Sequence, residues 1–167
     1  MINISACIYK PSVHLKKVVD QALAKNIVIV ASIGNDFCSG YSYPACYDGV
    51  IAVTAVDQDN NIFYMANKND RISVCAPGVD IPTADPDNKE NFIKFTGTSA
   101  AAPFVTVLAG LLKYEDKYIT DEDLKRTIED TAIDLGEVGK DNTYGYGLIN
   151  YKKALERVEH RHELSIQ

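Results

Sequence analysis

A chain of 167 residues, 46% hydrophobic and 24% charged, can bury one sizeable core and has the balance of an ordinary globular domain. Its formal charge of −6 argues against nucleic acid or an anionic membrane surface as partner. The longest apolar run, Ala100 to Leu112, is interrupted by Pro103 and Thr106 and is too short to span a bilayer.

Met1 to Ile8 reads as the end of a strand. Val13 to Ala24 carries Val13, Leu15, Val18, Val19, Ala22 and Leu23 at helical spacing, with Ser12 as the N-cap. Asn26-Ile27-Val28-Ile29-Val30-Ala31 is a largely β-branched run, the pattern of a strand covered on both faces in a parallel sheet. It stops at the turn tripeptide Gly34-Asn35-Asp36. Val50 to Val56 predicts a second buried strand, ended by Asp57 to Asn61. Arg71 to Ala76 predicts a third, ended by Pro77-Gly78. Asp80 to Asn91 reads as a polar loop. From Ala100 to Tyr114 the sequence predicts a helix that is apolar nearly all round, and so lies inside the protein. Thr120-Asp121-Glu122-Asp123 opens another helix, with Thr120 as cap and Asp123 at a box-like position, running to about Thr131. Tyr144 to Asn150 is a glycine-rich turn and Tyr151 to Arg157 a closing helix. Residues 158–167 are expected to be a flexible tail. Buried strands alternating with helices make this α/β with a mainly parallel sheet.

Cys7, Cys38, Cys46 and Cys75 form no CxxC pair and have no histidine at ligand spacing, so zinc is not expected. Cys38 and Cys46 flank a loop and can pair in an oxidising compartment; free, partly buried thiols are the simpler reading. Met1-Ile2-Asn3-Ile4-Ser5 lacks the basic region and apolar stretch of a signal peptide.

The chemistry is concentrated in Phe95-Thr96-Gly97-Thr98-Ser99-Ala100-Ala101-Ala102-Pro103. Gly97 permits a tight turn, and Ser99 falls where the following helix begins. The first N–H groups of a helix lack internal partners and carry partial positive charge, so they can stabilise a developing oxyanion. A serine before a helix is ordinarily its N-cap, and an asparagine such as Asn35 is ordinarily a turn former. A nucleophilic serine also needs a base, and none is adjacent in sequence.

Gly97 to Pro103 resembles the nucleophile motif of subtilisin-like serine proteases, G-T-S-x-A-x-P. Val30-Ala31-Ser32-Ile33-Gly34-Asn35-Asp36 is similar to the strand and turn that carry the oxyanion-hole asparagine of that family. Tyr43-Pro44-Ala45, Val50 to Val56, Ala76-Pro77-Gly78 and Tyr144-Gly145-Tyr146-Gly147-Leu148-Ile149-Asn150 follow in the family's order. Ile2-Asn3-Ile4-Ser5 resembles the strand beside bound substrate. The resemblance runs from the first residues to about Ala154. It implies a doubly wound, subtilisin-like fold, incomplete at the N-terminus, with residues 1–157 as the C-terminal portion of the peptidase domain. It also implies a serine endopeptidase, a hydrolase acting on peptide or protein substrates. On this resemblance Ser99 is the nucleophile, and the Asn35 amide and the Ser99 N–H are the oxyanion donors. Ser5, Ala6, Cys7, Ser32, Ile33 and Gly34 are the implied substrate-binding residues.

The family's triad runs Asp, His, Ser along the chain. Neither D-[ST]-G nor H-G-[TS] occurs here. His14 falls in a surface helix, and His160 and His162 lie past the last family motif. The expectation is a piece of a larger enzyme, from a truncated or split gene or a partial chain, whose aspartate and histidine lie upstream. Alone it is expected to be inactive, and either unstable or in need of a complementary N-terminal chain that supplies both residues and covers its apolar faces. The alternative is a non-catalytic relative that binds peptides or a partner protein. Ala6-Cys7-Ile8, where the family usually has a glycine-containing stretch, speaks for it; Ser99 and Asn35 together speak against it. A nucleotide-binding domain lacks support without a GxGxxG or GxxxxGK[ST] loop. Family members often bind structural calcium, but the loop Tyr43 to Val50 offers carbonyls and no run of carboxylates. No metal or cofactor is assigned.

Overall fold

The structure, a computed structural model, describes residues 1–88 and 90–165, the side chains of residues 161–165 excepted. Four parallel strands form its centre in chain order: β1 (Ile2–Ile4), β2 (Ile29–Ser32), β3 (Ile51–Val56) and β4 (Val74–Pro77). The register pairs Asn3 with Val30, Ala31 with Ala52, and Thr54 with Cys75. Helix α1 (Val13–Leu23) joins β1 to β2, and Ser12 caps it by accepting the Leu15 N–H. Beyond β4 come the short strands β5 (Ile81–Ala84) and β6 (Phe92–Phe95), then α2 (Thr98–Glu115), α3 (Asp121–Thr131) and α4 (Tyr151–Ser165).

The sheet is covered on both faces, which is why β2 and β3 read as unbroken apolar runs. Val30, Val53 and Val74 point to one side, where Leu108 and Leu112 of α2, Leu124 of α3 and Ala154 of α4 pack on them. Ile29, Ala31 and Ala52 point to the other, against Val19 of α1 and the loop residues Ala45 and Val50. The α/β architecture read from the sequence is the one observed. Among the described residues, no helix is long and apolar enough to cross a membrane.

Four features depart from expectation. The segment after Asp80 holds β5, paired antiparallel with β6 through Ile81–Phe95 and Thr83–Ile93. Both strands are largely exposed, so the ribbon carries none of the burial pattern by which strands are read. Strand β2 starts at Ile29 rather than Asn26, because Asn26 takes a left-handed conformation with φ of 56° at the end of α1. Helix α2 is not buried all round: Val107, Leu111 and Tyr114 are 56%, 39% and 84% exposed on its outer side. Helix α4 continues past Arg157, and Val158 is fully buried in the main core, so the boundary expected before residue 158 falls inside a packed helix.

That burial gives a direct test. Val158→Asp places an unpaired carboxylate in the core and should lower the unfolding free energy in urea by about 2–4 kcal/mol. A substitution in a loose tail would leave the midpoint unchanged.

Candidate active site

Ser99 occupies the second position of α2, and Gly97 is the residue that caps the helix, with φ of 152°. Gly97 donates its N–H to the Gly78 carbonyl at 2.8 Å, so the turn is seated on the residue that follows β4. The seat is close: a Cβ on Gly78 would stand 2.5 Å from the Ala55 Cβ and 2.8 Å from the Gly97 carbonyl oxygen. A Cβ on Gly97 would stand 3.2 Å from the Asn35 amide nitrogen. Glycine is needed at 97 both for its backbone angle and for the amide beside it.

Thr98, fully buried, joins this turn to the one after β2. Its N–H and its hydroxyl both donate to Asn35 Oδ1, each at 2.9 Å, and its hydroxyl accepts the Gly34 N–H at 3.2 Å. The carbonyl end of the Asn35 amide is therefore committed, which leaves Nδ2 as the free donor end beside Gly97. A neutral amide held this way donates without any change of protonation.

The turn that carries Asn35 is held from below by Asn67, which the sequence reading missed. Asn67 is fully buried; its Nδ2 donates to the Ile33 carbonyl at 3.1 Å, and its Oδ1 accepts the N–H groups of Asp36 (3.0 Å) and Cys38 (3.3 Å). Its backbone N–H reaches the Gly34 carbonyl at 3.1 Å. Ala66-Asn67-Lys68-Asn69 has no turn dipeptide or periodicity that singles Asn67 out.

The remaining residues expected to bind substrate divide into two groups. Ser5 and Ala6 are exposed and Cys7 is half-buried, on the segment that leaves β1. The Ser5 hydroxyl donates to the Ser99 carbonyl at 3.2 Å. The Cys7 thiol lies 3.4 Å from the Tyr9 hydroxyl, which in turn donates to the Asp36 carboxylate. Burial first, and then the charge of Asp36, push the Cys7 thiol up, so it is protonated at neutral pH and a poor nucleophile. Ser32, Ile33 and Gly34 lie beneath the turn and are buried. Ile33 gives its N–H to Val53, and its carbonyl accepts from Ser42 and Asn67. Gly34 gives its N–H to Thr98 and its carbonyl to Asn67. The polar backbone groups of these two residues are thus used to build the turn.

His14 is an exposed residue of α1, His160 is exposed on α4, and the side chain of His162 lies outside the described residues. All four cysteines are free, with Cys38 directed to Asn67 and Cys46 to Asn69. In the loop Tyr43 to Val50 the carbonyls of Tyr43, Pro44 and Tyr47 accept backbone N–H groups, and Val50 accepts the Lys125 ammonium at 2.8 Å.

Comparison with known proteins places the chain in one family. The model of the subtilase family matches residues 3–147. Subtilisin DY of Bacillus licheniformis is 36% identical over 160 residues, covering 93% of this chain and 57% of the relative. Minor extracellular protease Epr of Bacillus subtilis (strain 168) is 31% identical over 153 residues, 91% of this chain and 23% of the relative. The crystal structure of fervidolysin from Fervidobacterium pennivorans, a keratinolytic enzyme, superposes with a TM-score of 0.81 at 30% identity, over 90% of this chain and 25% of that one. The prenylagaramide maturation protease PagA superposes with a TM-score of 0.80 at 25% identity, over 92% of this chain and 59% of that one. The chain thus spans well under two thirds of the length of these relatives.

Asn67 offers a test of the geometry that does not depend on any activity. Asn67→Ala leaves the N–H groups of Asp36 and Cys38 without their partner and the Ile33 carbonyl with Ser42 as its one remaining donor, and should cost about 2–4 kcal/mol of stability. Amide hydrogen exchange at Asp36 and Cys38 should accelerate more than at β3.

Proposed function

This chain belongs to the subtilase family, and from that premise we propose that it is the nucleophile-bearing part of a serine endopeptidase. Ser99 Oγ attacks the scissile carbonyl of a peptide, and a histidine imidazole takes the hydroxyl proton. The electron pair of the carbonyl moves to its oxygen, where Asn35 Nδ2 and the Ser99 N–H donate to the negative charge. Collapse expels the amine, which receives the proton from the imidazolium, and water then hydrolyses the acyl-enzyme. The N-terminus of α2 adds its partial positive charge at the same place.

The observation that carries this reading is the clasp between Thr98 and Asn35. Two donors fix Oδ1, so Nδ2 stands free next to Gly97, two residues before the serine. A serine that served only as a helix cap would give no reason for a preoriented amide at that spot.

The histidine and its orienting aspartate come, in this proposal, from a complementary segment outside these 167 residues. Two features of the surface support such a segment. Strand β1 is the edge of the sheet, with Met1 and Ile2 exposed. Val107, Leu111 and Tyr114 form an exposed apolar stripe on α2, the helix that packs across β1. A further strand on that edge and apolar side chains on that stripe would bury both.

The test is active-site labelling with a fluorophosphonate. The chain alone should label slowly, and addition of the N-terminal half of a subtilisin, which carries the aspartate and histidine motifs, should accelerate labelling. Ser99→Ala should abolish it. Asn35→Ala should slow it on the order of 10²–10³-fold, the magnitude known from subtilisin itself. Rapid labelling of the isolated chain would overturn the division of the triad. Tight peptide binding with no labelling under either condition would favour the non-catalytic relative.

A further inference from the structure

Pro103 lies inside α2 and has no N–H, so the Ser99 carbonyl, four residues earlier, is without its helical donor. The Ser5 hydroxyl supplies one, at 3.2 Å and across 94 residues of sequence. Ser5 is in turn held by the Asn3 amide, which donates to its oxygen at 3.3 Å. Asn3 Oδ1 accepts from the Thr106 hydroxyl at 2.9 Å, and that hydroxyl also lies 3.0 Å from the Ala102 carbonyl. Side chains at the end of β1 therefore grip α2 on both sides of the proline.

We propose that Ser5 is a positioning residue for Ser99, its hydroxyl replacing the N–H that Pro103 withholds. The proposal rests on the reading of Ser99 as nucleophile and deepens it. The bond fixes the peptide plane that follows Ser99, and with it the torsion that aims the Ser99 side chain relative to Asn35. It also registers the segment Ser5-Ala6-Cys7 against the nucleophile, because one hydrogen bond spans the two. The side chain of Ser5 then acts on the enzyme's own backbone and not on substrate. Serine at 5 and proline at 103 are two halves of one device. Without the serine the carbonyl is left to water, which fixes no direction; without the proline the serine is redundant.

This logic makes a double-mutant cycle the test, with inactivation by a peptidyl phosphonate measured on the complemented protein as kinact and KI. Ser5→Ala should lower kinact roughly fivefold to tenfold, the loss of one hydrogen bond, and leave KI unchanged. Ser5→Thr keeps a hydroxyl and should restore the rate. In Pro103→Ala the new N–H takes the Ser99 carbonyl, and adding Ser5→Ala should then change kinact by less than about twofold. An equal loss in both backgrounds, or a rise in KI with kinact unchanged, would overturn the proposal, the second outcome marking Ser5 as a substrate ligand. Urea unfolding of the same four proteins reads the contact without any chemistry. Non-additivity there, together with no modification of Ser99 in any variant, would retain the clamp and sink the nucleophile reading. Additivity there would sink the clamp, whatever the labelling shows.

Discussion

The double hydrogen bond from Thr98 to Asn35 Oδ1 is the constraint on which the rest of this molecule's site depends. It joins two turns that are 63 residues apart in sequence, one leaving β2 and one entering α2. Each bond by itself contributes only about 0.5–1.5 kcal/mol net. Their importance lies in geometry: an amide can rotate about its last torsion, and two donors on the same oxygen remove that freedom. Thr98 is fully buried and its hydroxyl also accepts from Gly34, so it cannot let go without leaving unpaired groups in a dry place. Gly97 follows from the same constraint, since a side chain there would press on the Asn35 amide, while a side chain at Gly78 would push the α2 turn away from β3.

The sheet explains why these turns meet at all. In an open parallel sheet every strand ends on the same edge, and the loops leaving those ends converge. Ser5 follows β1, Gly34 and Asn35 follow β2, and Gly78 follows β4. Helix α2 begins at that edge, and its first N–H, on Thr98, donates across the convergence to the Asn35 side chain. Ile33 and Asn67 form the floor, tying the β2 turn to the core beneath. The N–H and carbonyl of Ile33 and the N–H and side-chain amide of Asn67 have partners within this chain. The oxyanion apparatus of the proposed enzyme is thereby assembled from local turns on one rigid frame.

The sequence was legible where burial and turn chemistry coincide. Strands β2 and β3 announce themselves because both faces are covered, so alternation vanishes and β-branched residues run on. Ser12 and Thr120 are visible as caps because serine and threonine oxygens satisfy helix N–H groups in a fixed register. Ser99 and Asn35 are legible through the motifs around them. The β5–β6 ribbon was hidden because its strands are exposed and hold together by pairing alone. Val107 and Leu111 misled in the opposite sense: apolar residues on every side of α2 predict burial, but the fold covers only one side. Asn67 was invisible because its role lies in bonds to a turn some thirty residues away, which no local pattern encodes.

The pairing of Ser5 with Pro103 carries the same lesson into the mechanism. A proline in the second turn of a helix looks like a defect when the helix is considered alone. Against β1 it becomes a vacancy that a strand side chain can fill, and filling it locks strand to helix at the residue where chemistry is proposed. A helical N–H in that place would have satisfied the carbonyl equally well, yet would have coupled Ser99 only to its own helix. The Thr98–Asn35 clasp fixes where the proposed oxyanion donor points, and in the proposed device the Ser5 bond fixes where the serine stands beside the strand. Two independent contacts, one on each flank of Ser99, together set its position with respect to both partners. Neither involves an ionisable group, so the frame keeps its geometry whatever the protonation state of the groups around it.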